Sequence, residues 1–172
     1  VFYTSIGIVH KSRGDLEEAM KWFQQSLDIV QQLQQNGASH SLVLANIFNE
    51  IGSTNRAKGN LDDALQWFHR SLAIFKEQSP KSLSVAALSN NIEKVHLAKG
   101  ELDKAMHWME LALAIQEQEA PASLALAKMY NNVGEVYQSK GDLDQAMMWF
   151  ERAAVIEKRQ DSGMRNGIGL VD

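Results

Sequence analysis

Apolar residues recur along this chain at steps of three and four, the spacing of helices with one buried face. The clearest stripe is Leu61, Ala64, Leu65, Phe68, Leu72 and Phe75. Just before each such stripe stands a glycine with a basic residue ahead of it and a short polar or acidic residue behind it. These triplets are Arg13-Gly14-Asp15, Lys58-Gly59-Asn60, Lys99-Gly100-Glu101 and Lys140-Gly141-Asp142. The cation complements the negative end of a finishing helix, and the glycine can take the left-handed backbone that ends it. Asp and Asn are good caps for the helix that follows, Glu101 a weaker one. Acidic residues then fill the first turn at Asp62, Asp63, Asp103 and Asp144, where the helix dipole favours them. The pattern predicts eight helices, near 1–13, 15–34, 41–58, 60–78, 82–99, 101–119, 123–140 and 142–160. Breaks are expected at Asn36-Gly37, Ser79-Pro80 and Ala120-Pro121. Residues 161–172 carry no periodicity and are expected to form a flexible tail.

The stripes are copies of one another. GDLEEAMKWF, GNLDDALQWF, GELDKAMHWM and GDLDQAMMWF begin at Gly14, Gly59, Gly100 and Gly141, which stand 45, 41 and 41 residues apart. All four tryptophans (Trp22, Trp67, Trp108 and Trp149) occupy one offset. The four extra residues of the first spacing are expected around Gln35 to His40. The chain therefore divides into four tandem helix–turn–helix units, at approximately 1–40, 41–81, 82–122 and 123–160. Such units bury their apolar faces on their neighbours.

These repeats resemble the tetratricopeptide repeat. Its pattern has a small residue seven before the turn glycine, supplied by Gly7, Gly52 and Gly134, with Glu93 departing from it in the third repeat. An alanine five after is met by Ala19, Ala64, Ala105 and Ala146. An aromatic nine after is met by Phe23, Phe68 and Phe150, with Met109 in the third copy. A small residue twelve after is met by Ser26, Ser71, Ala112 and Ala153. The large residue four before the turn is Tyr137 in the fourth repeat, but His10, Asn55 and His96 elsewhere. The unit exceeds the common length of about 34 residues and looks most like the long-helix repeats of kinesin light chains and Pins-type spindle-orientation scaffolds. The resemblance implies an all-α, right-handed α-solenoid whose first helices line a concave groove for peptides. The small residues read as packing devices, with Gly52 set beside Ala64.

Composition narrows the function. The 172 residues are 45% hydrophobic and 22% charged, with a formal net charge of −4 and no basic block. A sequence-independent grip on nucleic acid is therefore not expected. No apolar run is long enough to span a membrane. The absence of cysteine excludes a disulfide framework and thiol chemistry, and fits an intracellular, cytoplasmic protein. The sequence opens in mid-pattern and reads as part of something longer. No two of His10, His40, His69, His96 and His107 have the four-residue spacing of a helical metal pair. No nucleophile elbow or phosphate loop is present. No catalytic residue, metal or cofactor is expected.

What remains is a polar face on the first helices. Ten residues before each turn glycine stand Thr4, Asn49, Asn90 and Asn131, followed by Ser5, Glu50, Asn91 and Asn132. Steps of three and four add Ser53, Arg56, Lys94 and Glu135, and Lys11 and Lys128 add charge. An asparagine amide both donates and accepts, so it can pair with the backbone of an extended peptide. These residues are the expected peptide-binding groove; the alternative is that the asparagines bond neighbouring helices or face water. The tryptophans read as packing, with ligand stacking as the alternative.

The expected function is a protein–protein interaction scaffold that takes an extended or short helical segment of a partner in its groove. The mixed charge argues against a preference for strongly acidic termini. The alternatives are a structural spacer or self-association element, or a regulatory domain of a larger protein. End-to-end association is expected through Ala153, Ala154, Val155 and Ile156 of the fourth repeat.

Overall fold

The computed structural model describes residues 2–35 and 40–168, with side chains described up to Asp161. The Asn36-Gly37 break and the extra residues expected beside it thus lie largely outside the described residues. The elements are α1 (Phe2–Arg13), α2 (Leu16–Gln35), α3 (Ser41–Ala57), α4 (Leu61–Gln78), α5 (Leu83–Ala98), α6 (Leu102–Glu119), α7 (Leu124–Ser139) and α8 (Leu143–Ile168). No strand occurs among the described residues. The fold is all-helical, and α1 with α2, α3 with α4 and α7 with α8 pair as the glycine-centred pattern predicts.

Each turn is closed in the same way. The four turn glycines have φ between 73° and 86°, the left-handed conformation that costs glycine least. The N–H after each glycine then bonds back to a carbonyl in the last turn of the preceding helix. These bonds are Asp15 to His10 (3.0 Å), Asn60 to Asn55 (2.9 Å), Glu101 to His96 (2.9 Å) and Asp142 to Tyr137 (3.0 Å). The carbonyls freed at each helix end are thereby satisfied by backbone. The expected side-chain caps are less uniform. Asp142 accepts from the Gln145 N–H at 3.1 Å, whereas Asn60 makes no cap bond and turns its amide toward Asn55. Glu101 binds His96 instead, and Ser123 caps α7 through the Leu126 N–H.

The chain forms two compact units, residues 1–108 and 109–172. In the first, α1 packs on α2, α3 on α4, and α2 and α4 on the first helices that follow them. Ala19, Phe23, Leu27 and Val30 of α2 share one core with Ile47, Phe48 and Ile51 of α3. Fully burying a side chain such as Phe23 or Phe68 contributes about 1.5–3 kcal/mol. Ion pairs close the seams between repeats: Lys58 with Glu17 at 2.8 Å, and Lys99 with Asp62. In the second unit, α7 packs on α8, and Ala127, Tyr130, Val133, Ala146, Ala153 and Ile156 are buried.

The small residue seven before the turn has a more specific partner than the alanine expected of it. A Cβ at Gly52 would lie 2.8 Å from the Phe68 ring; at Gly7 and Gly134 it would lie 2.5 Å from Phe23 and Phe150. The glycine is the floor on which the aromatic nine after the turn lies flat. The third repeat lacks both halves of this pair, having Glu93 and Met109 instead.

The C-terminal end differs from the sequence reading. Helix α8 continues to Ile168, through the first eight of the twelve residues expected to be a flexible tail. The segment lacks an apolar period, but no proline between 161 and 168 forbids the helical backbone. Residues 169–172 lie outside the described residues.

Candidate functional site

In the first unit the first helices of consecutive repeats touch directly, α1 on α3 and α3 on α5. Polar residues meet along that line. Lys11 pairs with Glu50 and donates to Ser53 Oγ at 2.9 Å. Asn91 Nδ2 donates to Asn49 Oδ1 at 2.9 Å. Asn49, Glu50, Ser53, Arg56, Asn90 and Asn91 are half-buried, and Lys94 is exposed. Of the expected face, Lys11, Glu50 and Ser53 meet one another in this unit, as do Asn49 and Asn91. Bonding between helices holds for Asn49 and Asn91. Their pairing leaves the Asn49 amide nitrogen and the Asn91 carbonyl oxygen without a described partner, one donor and one acceptor side by side. Arg56 Nε is buried with no hydrogen-bond partner among the described residues. Thr4, at the column's first position, turns toward its own second helix and shares a 2.7 Å hydrogen bond with Ser26.

In the second unit, α7 carries Lys128, Asn132 and Glu135 exposed and Asn131 half-buried. None of the four pairs with another described side chain.

The tryptophans pack within the units. Trp22 lies 5.7 Å from Tyr3 and stacks at 6.5 Å on His10; Trp67 lies 5.3 Å from Phe48, and Trp149 5.5 Å from Tyr130. In each case the first-helix aromatic is eleven residues before the turn glycine. The third repeat has Ser89 there, and Trp108 rests instead against His69, at 5.5 Å. Arg70 covers Phe48 and Trp67 at 5.2 and 4.8 Å, and Arg152 covers Tyr130 and Trp149 at 4.3 and 4.7 Å. Each such contact is worth about 0.5–1 kcal/mol at an exposed site. Trp149, with no later tryptophan-bearing repeat in the sequence, is half-buried rather than open.

Two polar clusters were not foreseen. In the second unit, Tyr130 Oη donates to Glu117 at 2.7 Å, and Arg152 donates to Glu117 at 2.8 Å and to Tyr130 Oη at 3.0 Å. Burial and the bond to Glu117 push the Tyr130 hydroxyl up to about 12. The signal for it was the arginine three residues after the tryptophan, present at Arg70 and Arg152 alone. In the first unit, buried His96 bonds Glu101 at 2.6 Å, and Lys104 bonds the same carboxylate at 3.1 Å. Those bonds hold Glu101 below its ordinary value. His96 thus has a carboxylate partner, and His10 lies 3.5 Å from Asp15. Glu93 is buried, and desolvation raises its pKa against the lowering influence of Lys94.

Among the described residues no three histidines or carboxylates converge as a metal site, and no helix is long and apolar enough to cross a membrane.

Profiles of the tetratricopeptide repeat match residues 2–33, 43–118 and 127–157. No curated protein matches the sequence. Among solved structures, BtubC (BKLC) from P. vanneervenii is similar over 92% of this chain, with a TM-score of 0.81 and 21% identity; the match spans 63% of that protein. A Podosopora anserina protein described as a kinesin light chain with nearly identical TPR-like repeats gives a TM-score of 0.75 at 17% identity, over 91% of this chain and 74% of that one. MamA gives 0.67 at 20% identity, over 93% and 79%. At these identities the likeness is one of fold.

Proposed function

We propose, since the chain belongs to the tetratricopeptide repeat family, that it is a protein-binding module whose first helices receive an extended or short helical segment of a partner. Tetratricopeptide repeats generally mediate protein–protein interaction and are typically non-catalytic scaffolds. The observation that carries the finer reading is the polar seam along α1, α3 and α5. There Lys11, Glu50 and Ser53, and Asn49 with Asn91, hold adjacent first helices together and keep unpaired donors and acceptors at a half-exposed surface. A peptide backbone offers the complementary N–H and C=O groups. Asn49, Asn90 and Asn91 engage such a backbone in the first unit, and Asn131 and Asn132 offer the same amide chemistry within the second. Arg56, Lys94, Lys128, Glu50 and Glu135 select side chains, because charge complementarity sets specificity more than affinity. An intracellular partner suits a chain without cysteine.

The test is selection of peptides by unbiased display, followed by titration against wild type and Asn90→Ala. Asn90 makes no described side-chain bond, so its loss should weaken peptide binding and leave thermal unfolding unchanged. Unaltered affinity for every selected peptide would move the binding surface off the first helices.

A further inference from the structure

The two seams between first helices in the first unit share a register and differ in charge. At the seam of α1 with α3, Lys11 stands three before its turn glycine. It reaches Glu50 and Ser53, which stand nine and six before theirs. Cation and carboxylate neutralise each other there, both half-buried. At the seam of α3 with α5 the same offsets hold Arg56 on one helix and Asn91 and Lys94 on the other. Asparagine has replaced the carboxylate, and a second cation has replaced the serine. The helices are in contact, and the bond from Asn91 to Asn49 fixes how they meet.

The consequence shows at Arg56. Its Nε is buried without a hydrogen-bond partner, and neither Arg56 nor Lys94 is ion-paired among the described residues. A guanidinium edge withdrawn from water without an acceptor gains strongly from an anion. The carboxylates of the neighbourhood are otherwise engaged. Asp62 pairs with Lys99, and Glu101 with His96 and Lys104. Glu93, beside Lys94 in sequence, is buried, and desolvation favours its neutral form. Lys94 is exposed and Arg56 half-buried, so an anion arriving from outside can reach both.

We propose that Arg56 and Lys94 form a carboxylate-binding subsite, in which one aspartate or glutamate side chain of the partner segment fills the place that Glu50 holds one repeat earlier. The inference rests on the peptide-binding reading and names the side chain that this part of the face takes. The flat guanidinium fork matches a carboxylate, and the lysine adds a point charge. The first seam, neutralised from within, takes no such residue. A single acidic position, not an acidic run, is therefore selected, in keeping with the mixed charge of the face.

The experiment selects random linear peptides, displayed on phage, against the full chain and against Lys94→Gln, Asn91→Glu and Glu50→Asn. Wild type should enrich aspartate or glutamate at one position. In titrations, changing that residue of a selected peptide to its amide should weaken binding to wild type about tenfold. The ratio between the two peptides should fall toward one for Lys94→Gln, whose altered side chain is exposed. It should fall likewise for Asn91→Glu, which supplies the carboxylate from within. Glu50→Asn frees Lys11 and should add a weaker second acidic position. That position should lie about three residues from the first, because packed helices stand about 8–10 Å apart and an extended chain rises about 3.3 Å per residue. Circular dichroism melts check the fold of each variant. Wild-type peptides without an acidic position, or a tenfold ratio that survives in both Lys94→Gln and Asn91→Glu, would overturn the subsite and leave the peptide-binding reading standing. A wild type that selects no peptide at all would overturn both.

Discussion

Replacing Gly52 with alanine sets two known effects against each other. In a helix interior alanine is favoured over glycine by about 1 kcal/mol. Here, however, the new Cβ would stand 2.8 Å from Phe68 Cδ1, 2.9 Å from Cε1 and 3.2 Å from Cγ. These atoms include the root of the ring, so a small rotation of its tip does not relieve the clash. Phe68 has no exposed surface and nowhere to move. Overpacking of this kind costs about 1–3 kcal/mol, so Gly52→Ala should lower stability by about 1 kcal/mol net. Gly134→Ala brings its Cβ nearer still, to 2.5 Å of Phe150, but Phe150 is only half-buried and can swing outward. Its net cost should be smaller. The assay is urea unfolding followed by circular dichroism and tryptophan fluorescence together, which also checks that the transition is cooperative. A Phe68→Leu background makes the cause specific: with the ring gone the clash vanishes, and the two substitutions should couple by about 1 kcal/mol. A raised midpoint for Gly52→Ala, or strict additivity with Phe68→Leu, would refute the glycine floor.

Other outcomes follow from named contacts. Glu93 has its folded pKa raised by burial, so its ionisation opposes folding: the penalty is absent below its unfolded pKa and grows as pH rises through the folded value. Glu93→Gln should therefore unfold at higher urea than wild type at neutral pH and converge with it in acid; a gap that does not change with pH contradicts this. Tyr130→Phe strands the Glu117 and Arg152 bonds and should cost about 1 kcal/mol, read from the urea midpoint. Lys94→Glu, on an exposed side chain, should change which displayed peptides are selected while the melting temperature stays put.

The helix pairs and their turns were legible because each depends on local chemistry: a basic residue, a glycine and a cap, repeated in register. Helix α8 was ended too early, at residue 160, because an apolar period was taken as the mark of a helix, and backbone hydrogen bonding does not require one. That the Phe68 ring lies nearest to Gly52 was not legible, since a pattern of offsets gives neighbours without contact geometry. Likewise the spacing placed the asparagine column on the first helices. That Asn91 would spend its amide on Asn49, while Thr4 turned to Ser26, depends on the separation of helices, which spacing in the sequence does not contain.

The turn at Gly59 has a consequence in chirality. Nothing lies within 4 Å of the position a Cβ would take there, so size is no obstacle. With φ at 83°, the obstacle is handedness alone. An L-alanine would meet the left-handed penalty of about 1–2 kcal/mol. A D-alanine introduced by chemical ligation would sit at ease in the same backbone and restrict the unfolded chain, raising stability by about 0.4–1 kcal/mol. The achiral residue at this turn stands in for a mirror-image one that the genetic code does not supply.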